Sequence, residues 1–279
     1  MTERNGAVIA AFGQHYVDLG HQAALTLRQT NPRLAVDLFT DAAVDTGVFS
    51  KVHVLPEVWA RSKLDSMLMS RFERTLFLDA DLLVVADIGE IFELFDRFDI
   101  AVAQDMYRSS AKARGEYRRS FPNAFPQLNS GVFGFRRSDA MTAFLQAWKV
   151  NVQDHGTGKD QPSLRELIWN TDLRVTILPP EYNLYDHHSV DVMVPGRHTA
   201  PRVLHSHRLL RKSLPARGQD PVKHYFGAAT AYKLQLLLEG DKTLSGSSGR
   251  PARRPSWLEK LQLLWLYLVD GVGRLAGRN

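Results

Sequence analysis

One eleven-residue stretch constrains this chain more than any other: Thr75-Leu-Phe-Leu-Asp79-Ala-Asp81-Leu-Leu-Val-Val85. Two carboxylates stand two residues apart inside a segment that is otherwise almost wholly apolar. Such a run reads as a buried strand. In an open α/β sheet, ligands bind beyond the carboxyl ends of the strands. Carboxylates placed there require a cation or protons, because a buried charge without a partner is costly. Hard oxygen ligands suit Mg²⁺ or Mn²⁺. An ion held by two or three protein groups keeps positions free for phosphate oxygens and acts as a Lewis acid toward a departing diphosphate. The plainer alternative is a solvated turn with an aspartate as a helix cap. The apolar frame on both sides of the pair favours the functional reading.

The rest of the chain supplies the matching architecture. Gly6–Phe12, Leu34–Thr40, Lys51–Leu55, Thr75–Leu78, Asp99–Ala103 and Gly131–Phe135 read as strands, with Arg174–Leu178 and Arg202–His205 as later ones. Helical spacing marks Tyr16–Gln29, Ser62–Arg71 with Ser62 as its cap, Ile88–Phe95, and Ser138–Val150 capped by Ser138. Pro162 opens a further helix to about Trp169. The early alternation of strands and helices predicts an α/β fold with a mostly parallel sheet. Residues 245–256 read as a linker, so the expected division is a body over 1–244 and a C-terminal segment over 257–279.

Composition excludes several chemistries. With no cysteine in 279 residues, thiol nucleophiles, disulfides and Cys-ligated metals are impossible. No signal-peptide pattern is visible in the first 25 residues, and the longest apolar run, Leu263–Val269, is too short to span a bilayer. A cytoplasmic location, with membrane association at the inner face, is the expectation. The net charge of +5 is concentrated at the end, where residues 250–279 carry +4. The nearly neutral body and the lack of interleaved aromatics argue against nucleic acid.

Phe77-Leu-Asp79-Ala-Asp81-Leu-Leu-Val resembles the D-x-D segment of the nucleotide-sugar glycosyltransferases of family 8. The likeness runs in order from about Ala7 to Lys212. Gly13-Gln-His-Tyr16 is similar to the turn whose tyrosine contacts uracil, and Lys63 to a lysine that contacts the donor. Val102-Ala-Gln-Asp105, Leu128-Asn129-Ser130-Gly131-Val132-Phe133, Lys159-Asp160-Gln161 and Pro180-Glu-Tyr-Asn183-Leu follow. Val203-Leu-His205 ends the series with the histidine that completes the metal site. The resemblance implies a single Rossmann-like (GT-A type) domain with a mixed, mostly parallel sheet, plus a C-terminal amphipathic helix. It implies transfer of a hexose from a UDP-sugar to a glycan, lipid-linked or protein acceptor, with retention of configuration. Asp79, Asp81 and His205 would bind Mn²⁺ or Mg²⁺. Tyr16, Lys63, Asp79, Ala80, Asp81, Asn129, Gly131, Arg211 and Lys212 would bind the donor, and Gln161 and Asp160 would shape the reaction.

Each position has a reading of its own. Asn129 can donate to and accept from sugar hydroxyls, and Gly131 allows close backbone approach, though both also suit a tight turn. Asp160 serves equally as an acid capping the next helix. His205 and His207 share a face if extended, and either could be the ligand. Arg211 and Lys212 could hold the leaving diphosphate, although no Trp follows them as in the resembled family.

Two features lie outside that pattern. The stretch Tyr107–Arg119 carries Arg108, Lys112, Arg114, Arg118 and Arg119 against Glu116, and is expected to overhang the site and admit an anionic acceptor, or to be a solvated lid. Trp257, Leu258, Leu261, Leu264, Trp265 and Leu268 follow helical spacing between basic flanks, the pattern of a helix lying on a membrane. Docking on the body or on a second copy in a homodimer would use the same stripe. Rival functions are a phosphatase of the haloacid dehalogenase type, which also uses D-x-D after a strand, and a non-catalytic sugar-nucleotide-binding protein.

Overall fold

The computed structural model describes residues 4–44, 47–111, 114–156, 158–244, 253 and 255–275. Seven strands form the central sheet: β1 (Asn5–Ala10), β2 (Ala35–Thr40), β3 (Lys51–Val54), β4 (Arg74–Leu78), β6 (Ile100–Gln104), β7 (Leu128–Arg136) and β8 (Val175–Leu178). Their order is β3-β2-β1-β4-β7-β6-β8, and β7 alone runs against the others. A separate ribbon pairs β5 (Leu82–Val84) antiparallel with β9 (Val203–His205).

The central strands read as unbroken apolar runs because both of their faces are covered. Along β1, Ala7 and Ile9 enter one core and Val8 the other; along β4, Leu76 and Leu78 oppose Phe77. The first core is filled by α1 (Gln14–Thr30) and by α8 (Pro221–Phe226) and α9 (Ala228–Gly240). The second is filled by α2 (Lys63–Leu68), α4 (Asp139–His155) and α5 (Gln161–Asn170). The mixed, mostly parallel α/β architecture expected from the sequence is therefore present.

Local signals held in part. Ser138 caps α4 by accepting a hydrogen bond from Met141 N at 3.1 Å, and Gly156 ends that helix with a φ of +67°. Ser62 does not cap α2. It already has helical angles, and its hydroxyl turns back to the N–H and carbonyl of Trp59. The helix expected over Ile88–Phe95 shortens to α3 (Ile91–Leu94). The short α6 (Ser189–Val192) and α7 (Arg208–Arg211) flank β9 in sequence.

The last helix, α10 (Trp257–Leu275), lies on α9. Asp270 caps α9 through the N–H of Ala229 at 3.0 Å, and the Tyr267 hydroxyl donates to Asp191 at 2.6 Å. Its opposite face is bare: Trp257, Leu258, Leu261, Leu264, Trp265 and Leu268 are all more than half exposed. Most of the expected linker, and Lys112 of the basic loop, lie outside the described residues. No described helix is long and apolar enough to cross a membrane.

Candidate active site

β4 ends at Leu78, and the chain leaves the sheet there. The N–H of Asp79 still bonds to the Gly131 carbonyl of β7 at 2.9 Å, which fixes the turn. Asp81 is then the last residue before β5. Because Leu82 pairs with His205 in the ribbon, and Ser206 N bonds to the Asp81 carbonyl at 3.2 Å, the histidine is delivered beside the acid pair. His205 Nε2 lies 3.2 Å from Asp81 Oδ1. One ligand atom from each of Asp79, Asp81 and His205 can be chosen with all three within 4.8 Å of one another. His207 Nδ1 stands 3.8 Å from Asp81 Oδ2 and is half exposed.

The imidazole is held by a chain of amides whose orientation can be deduced. Asn129 Oδ1 accepts from Gly131 N at 2.9 Å and so must be the oxygen. It also accepts from Asn183 Nδ2 at 3.1 Å, which turns Asn183 Oδ1 toward His205 Nδ1, 3.0 Å away. His205 therefore carries a proton on Nδ1 and presents Nε2 to the carboxylates. Gly131 makes room for the ring, since a Cβ there would stand 2.3 Å from His205 Cε1.

Opposite the acids stands Lys63, at the start of α2. Its ammonium lies 2.8 Å from Asp160 Oδ2, 2.9 Å from Ser130 Oγ and 3.6 Å from Asp79 Oδ1. Ser130 in turn donates to Asp160 at 2.6 Å, and Arg61 Nε lies 3.4 Å from the other Asp160 oxygen. Asp160 occupies the capping position of α5 but makes no side-chain cap bond. Its carboxylate is spent on the cluster, which separates the two readings that the sequence left open.

Charge balance is uneven across the site. Burial would raise Asp160, but Lys63, Arg61 and the Ser130 hydroxyl hold it well below the usual carboxylate range. Burial would likewise raise Asp81, and His205 with His207 outweighs it. Burial would lower Lys63, but Asp160 and Asp79 keep it above an ordinary lysine. Asp79 goes the other way: burial raises it, and Asp81 adds repulsion, against which Lys63 is insufficient. Asp79 is thus the carboxylate of the cluster whose charge is least compensated for its burial. The cavity in front holds about 180 Å³ and is lined also by Gln161, Lys159, Tyr185 and Asn129.

The family profile described as Nucleotide-diphospho-sugar transferase matches residues 20–205, which contain Asp79, Asp81 and His205 together with Arg61, Lys63, Asn129, Ser130, Asp160 and Asn183, and which stop short of His207. The chain belongs to the nucleotide-diphospho-sugar transferase family. No curated protein sequence matches it. Among solved structures, glycosyltransferase GlyE of Streptococcus pneumoniae TIGR4 aligns with a TM-score of 0.55 at 15% identity, over 91% of this chain and 66% of that one. Its apo form aligns over 54% of its own length, so this chain spans about half to two thirds of GlyE. An active-site mutant of LgtC aligns with a TM-score of 0.54 at 13% identity, over 83% and 94% of the two chains. Galactosyltransferase LgtC in complex with donor and acceptor sugar analogs aligns with a TM-score of 0.52 at 14% identity, over 86% and 99%. At these identities the likeness is one of fold, and that fold is the GT-A type.

Within this nucleotide-diphospho-sugar transferase, the expected donor residues separate into three groups. Lys63, Asp79, Asp81, Asn129, Asp160, Gln161 and His205 converge on the cavity. Gly131 and Ala80 stand behind it: Gly131 seats His205, while the Ala80 methyl belongs to the core. Tyr16, Arg211 and Lys212 do not line it. Tyr16 is 47% exposed at the start of α1, beyond the carboxyl end of β1, which adjoins β4. Lys212, just after α7, donates to the His224 carbonyl at 3.3 Å. Arg61, Ser130 and Tyr185 were not among the expected site residues. Tyr185 is placed edge-on to both His205 and His207, with ring centroids 5.0 and 5.4 Å away. Its position directly after Asn183-Leu was the available signal.

A second trio, Asp186, His187 and His188, also brings possible ligand atoms within 4.8 Å. His187, however, stacks on Phe226 with centroids 4.9 Å apart, as a packing residue does.

Proposed function

We propose that this transferase moves a hexose from a uridine diphosphate sugar to a hydroxyl of a glycan, lipid-linked or protein acceptor, with retention of configuration. The observation that carries the reading is the convergence of Asp79, Asp81 and His205 at the carboxyl end of β4, facing Lys63 and Asp160 across one cavity. Two carboxylates and an imidazole on Nε2 form a donor set that suits Mn²⁺ or Mg²⁺, and the buried Asp79 carboxylate, with Asp81 beside it, would be stabilised by a cation there. Bound between them, the ion would supply Lewis-acid neutralisation of the leaving diphosphate.

The chain's own groups do the rest. Lys63 adds a fixed positive charge beside the phosphates, and electrostatic stabilisation of this kind is commonly the largest catalytic contribution. Gln161, held at the start of α5, faces the anomeric carbon through its amide. Asp160 is engaged by Lys63, Ser130 and Arg61, which leaves it better suited to orienting sugar hydroxyls than to attacking C1. The acceptor hydroxyl then attacks from the face that the diphosphate leaves. The bond from C1 to the phosphate oxygen breaks, the new C1–O bond forms, and the acceptor proton passes to the departing phosphate oxygen.

Neither rival reading is favoured by the family match. The test is a thermal-shift panel of nucleotide diphosphate sugars with and without Mn²⁺, followed by NMR of the product. Metal-dependent stabilisation by uridine donors and a retained anomeric centre are expected. Full activity in EDTA, or an inverted centre, overturns the metal or the stereochemical part respectively.

The bare face of α10 supports a further partner. Its apolar stripe with two tryptophans and basic flanks fits peripheral contact with an anionic membrane, which would be the inner face of a cytoplasmic membrane.

A further inference from the structure

A second cavity, of about 800 Å³, lies under the basic loop that precedes β7. It is joined to the active site by a trough of about 610 Å³, which shares Tyr185 and His207 with the active-site cavity and Arg108 and Ser109 with the larger one. Tyr107 and Tyr185 meet edge-on along this trough, centroids 5.6 Å apart. The three cavities therefore adjoin in series from the reacting centre to the far cavity, sharing walls at Tyr185 and His207 and at Arg108 and Ser109.

The far cavity is built for negative charge. Arg108, Arg114 and Arg165 line it against one acid, Glu116. Arg165 is 6% exposed, yet its guanidinium pairs with no carboxylate among the described residues. Its bonds run to the carbonyls of Phe125 and Pro122, and Nε has no partner among the described residues. Burial accordingly lowers its proton affinity below that of an ordinary arginine. A second buried group lining the same cavity has unsatisfied polar atoms. Gln127 is 2% exposed, and neither its amide oxygen nor its amide nitrogen has a partner among the described residues. The guanidinium lies over the rings of Phe121 and Phe125, 5.1 and 5.8 Å from their centroids, and feels the charge of Glu116 without a direct ion pair, so a ligand that supplies an anion there and completes the idle amide would offset the cost of burying both.

We infer that this cavity anchors the anionic group of the acceptor: a phosphate or carboxylate carried by a glycan whose reactive hydroxyl reaches the active site along the Tyr107–Tyr185 trough. The inference rests on the glycosyl-transfer reading above and narrows its acceptor to an acidic saccharide. Arg165 and Gln127 meet the anion at the floor, and Arg108 and Arg114 meet it from the rim.

Binding of glucose 6-phosphate, glucuronate and glucose to the full-length protein, followed by calorimetry without donor or metal, separates the phosphate and carboxylate forms from the neutral sugar. At least one anionic sugar is expected to bind about tenfold or more tighter than glucose. Arg114→Glu, on the exposed rim, is expected to abolish that preference. Gln127→Leu is the sharper variant. If the amide is idle, leucine stabilises the protein and leaves binding unchanged; if it meets the anion, affinity falls about fivefold or more while stability holds or rises. Equal binding of all three sugars, or an undiminished anion preference in both variants, overturns the proposal. Metal-dependent hydrolysis of a uridine donor, measured in parallel, reports on the transfer reading alone and is expected to be unchanged in both variants. If hydrolysis is lacking but anion binding is present, transfer fails and the cavity stands.

Discussion

The imidazole of His205 occupies the space that a side chain on residue 131 would need. An ideal Cβ at Gly131 would stand 2.3 Å from Cε1 and 2.7 Å from Nδ1 of the ring. The ring cannot yield cheaply, because Asn183 and Asp81 hold both of its nitrogens. Gly131→Ala is therefore expected to displace the histidine and lower metal affinity and transfer by about 10–100-fold, the range seen when a ligand's support is lost. Mn²⁺ titration and initial rates would measure it; wild-type values for both would show that the ring position is immaterial.

Asn183 fixes the same ring from the other side. With its Oδ1 accepting from Nδ1, the lone pair of a neutral His205 can reside only on Nε2, the atom facing the acids. Asn183→Ala should leave the fold intact and weaken Mn²⁺ binding by about tenfold or more. With diamagnetic Mg²⁺ present, nitrogen-15 NMR of the imidazole should show the proton on Nδ1 alone in wild type and a mixture of states in the variant. An unaltered tautomer would refute the positioning role.

Lys63 links two acids that burial would otherwise oppose. Lys63→Met leaves Asp160 and Asp79 without their nearest cation, and loss of one partner from a buried pair costs about 3–5 kcal/mol. Adding Asp160→Asn removes one of the stranded charges, so the double variant should recover part of that loss. A coupling above about 1 kcal/mol in urea unfolding is expected. Strict additivity would mean that the two side chains act separately.

How far the sequence carried this reading depends on the kind of signal. The paired acids, Lys63, Asp160 and His205 were legible because short motifs in a fixed order placed each at a strand or helix end. Of the β5–β9 ribbon only β9 was, as the strand over Arg202–His205; β5 was merged into the apolar run after Asp81, and the pairing joins segments far apart in the chain. α9 escaped for the opposite reason: apolar residues such as Leu234, Leu236 and Leu237 surround it, leaving no stripe to detect. Asp160 shows a limit of another kind. Its capping position was readable, but only the folded chain shows its carboxylate turned to Lys63.

Acid stability should depend on His187. Burial first, and then Arg208 and His188, push its pKa from 6.5 down to about 4, against weaker opposition from Asp186 and Asp191. The unfolded chain therefore takes up the proton first as pH falls. This contribution is full above about pH 6.5 and is lost progressively toward pH 4. His187→Phe keeps the stack on Phe226 and removes the titration. Wild type should lose about 2 kcal/mol more than the variant across that window, allowing for solvent screening. Parallel stability curves for the two proteins would exclude this role.

The bare stripe on α10 can be separated from the helix's docking on α9, because the two use different residues. Asp270 and Tyr267 tie the helix to the body, whereas Trp257, Trp265 and Leu268 face solvent. Replacing these three with serine should leave the thermal midpoint within a few degrees and abolish co-sedimentation with vesicles containing anionic lipid. Neutral vesicles should bind the wild type less, since the basic flanks contribute only against negative charge. If instead the wild type fails to sediment with either vesicle and the triple variant converts a dimer to a monomer, the stripe is a subunit interface and the membrane role is rejected.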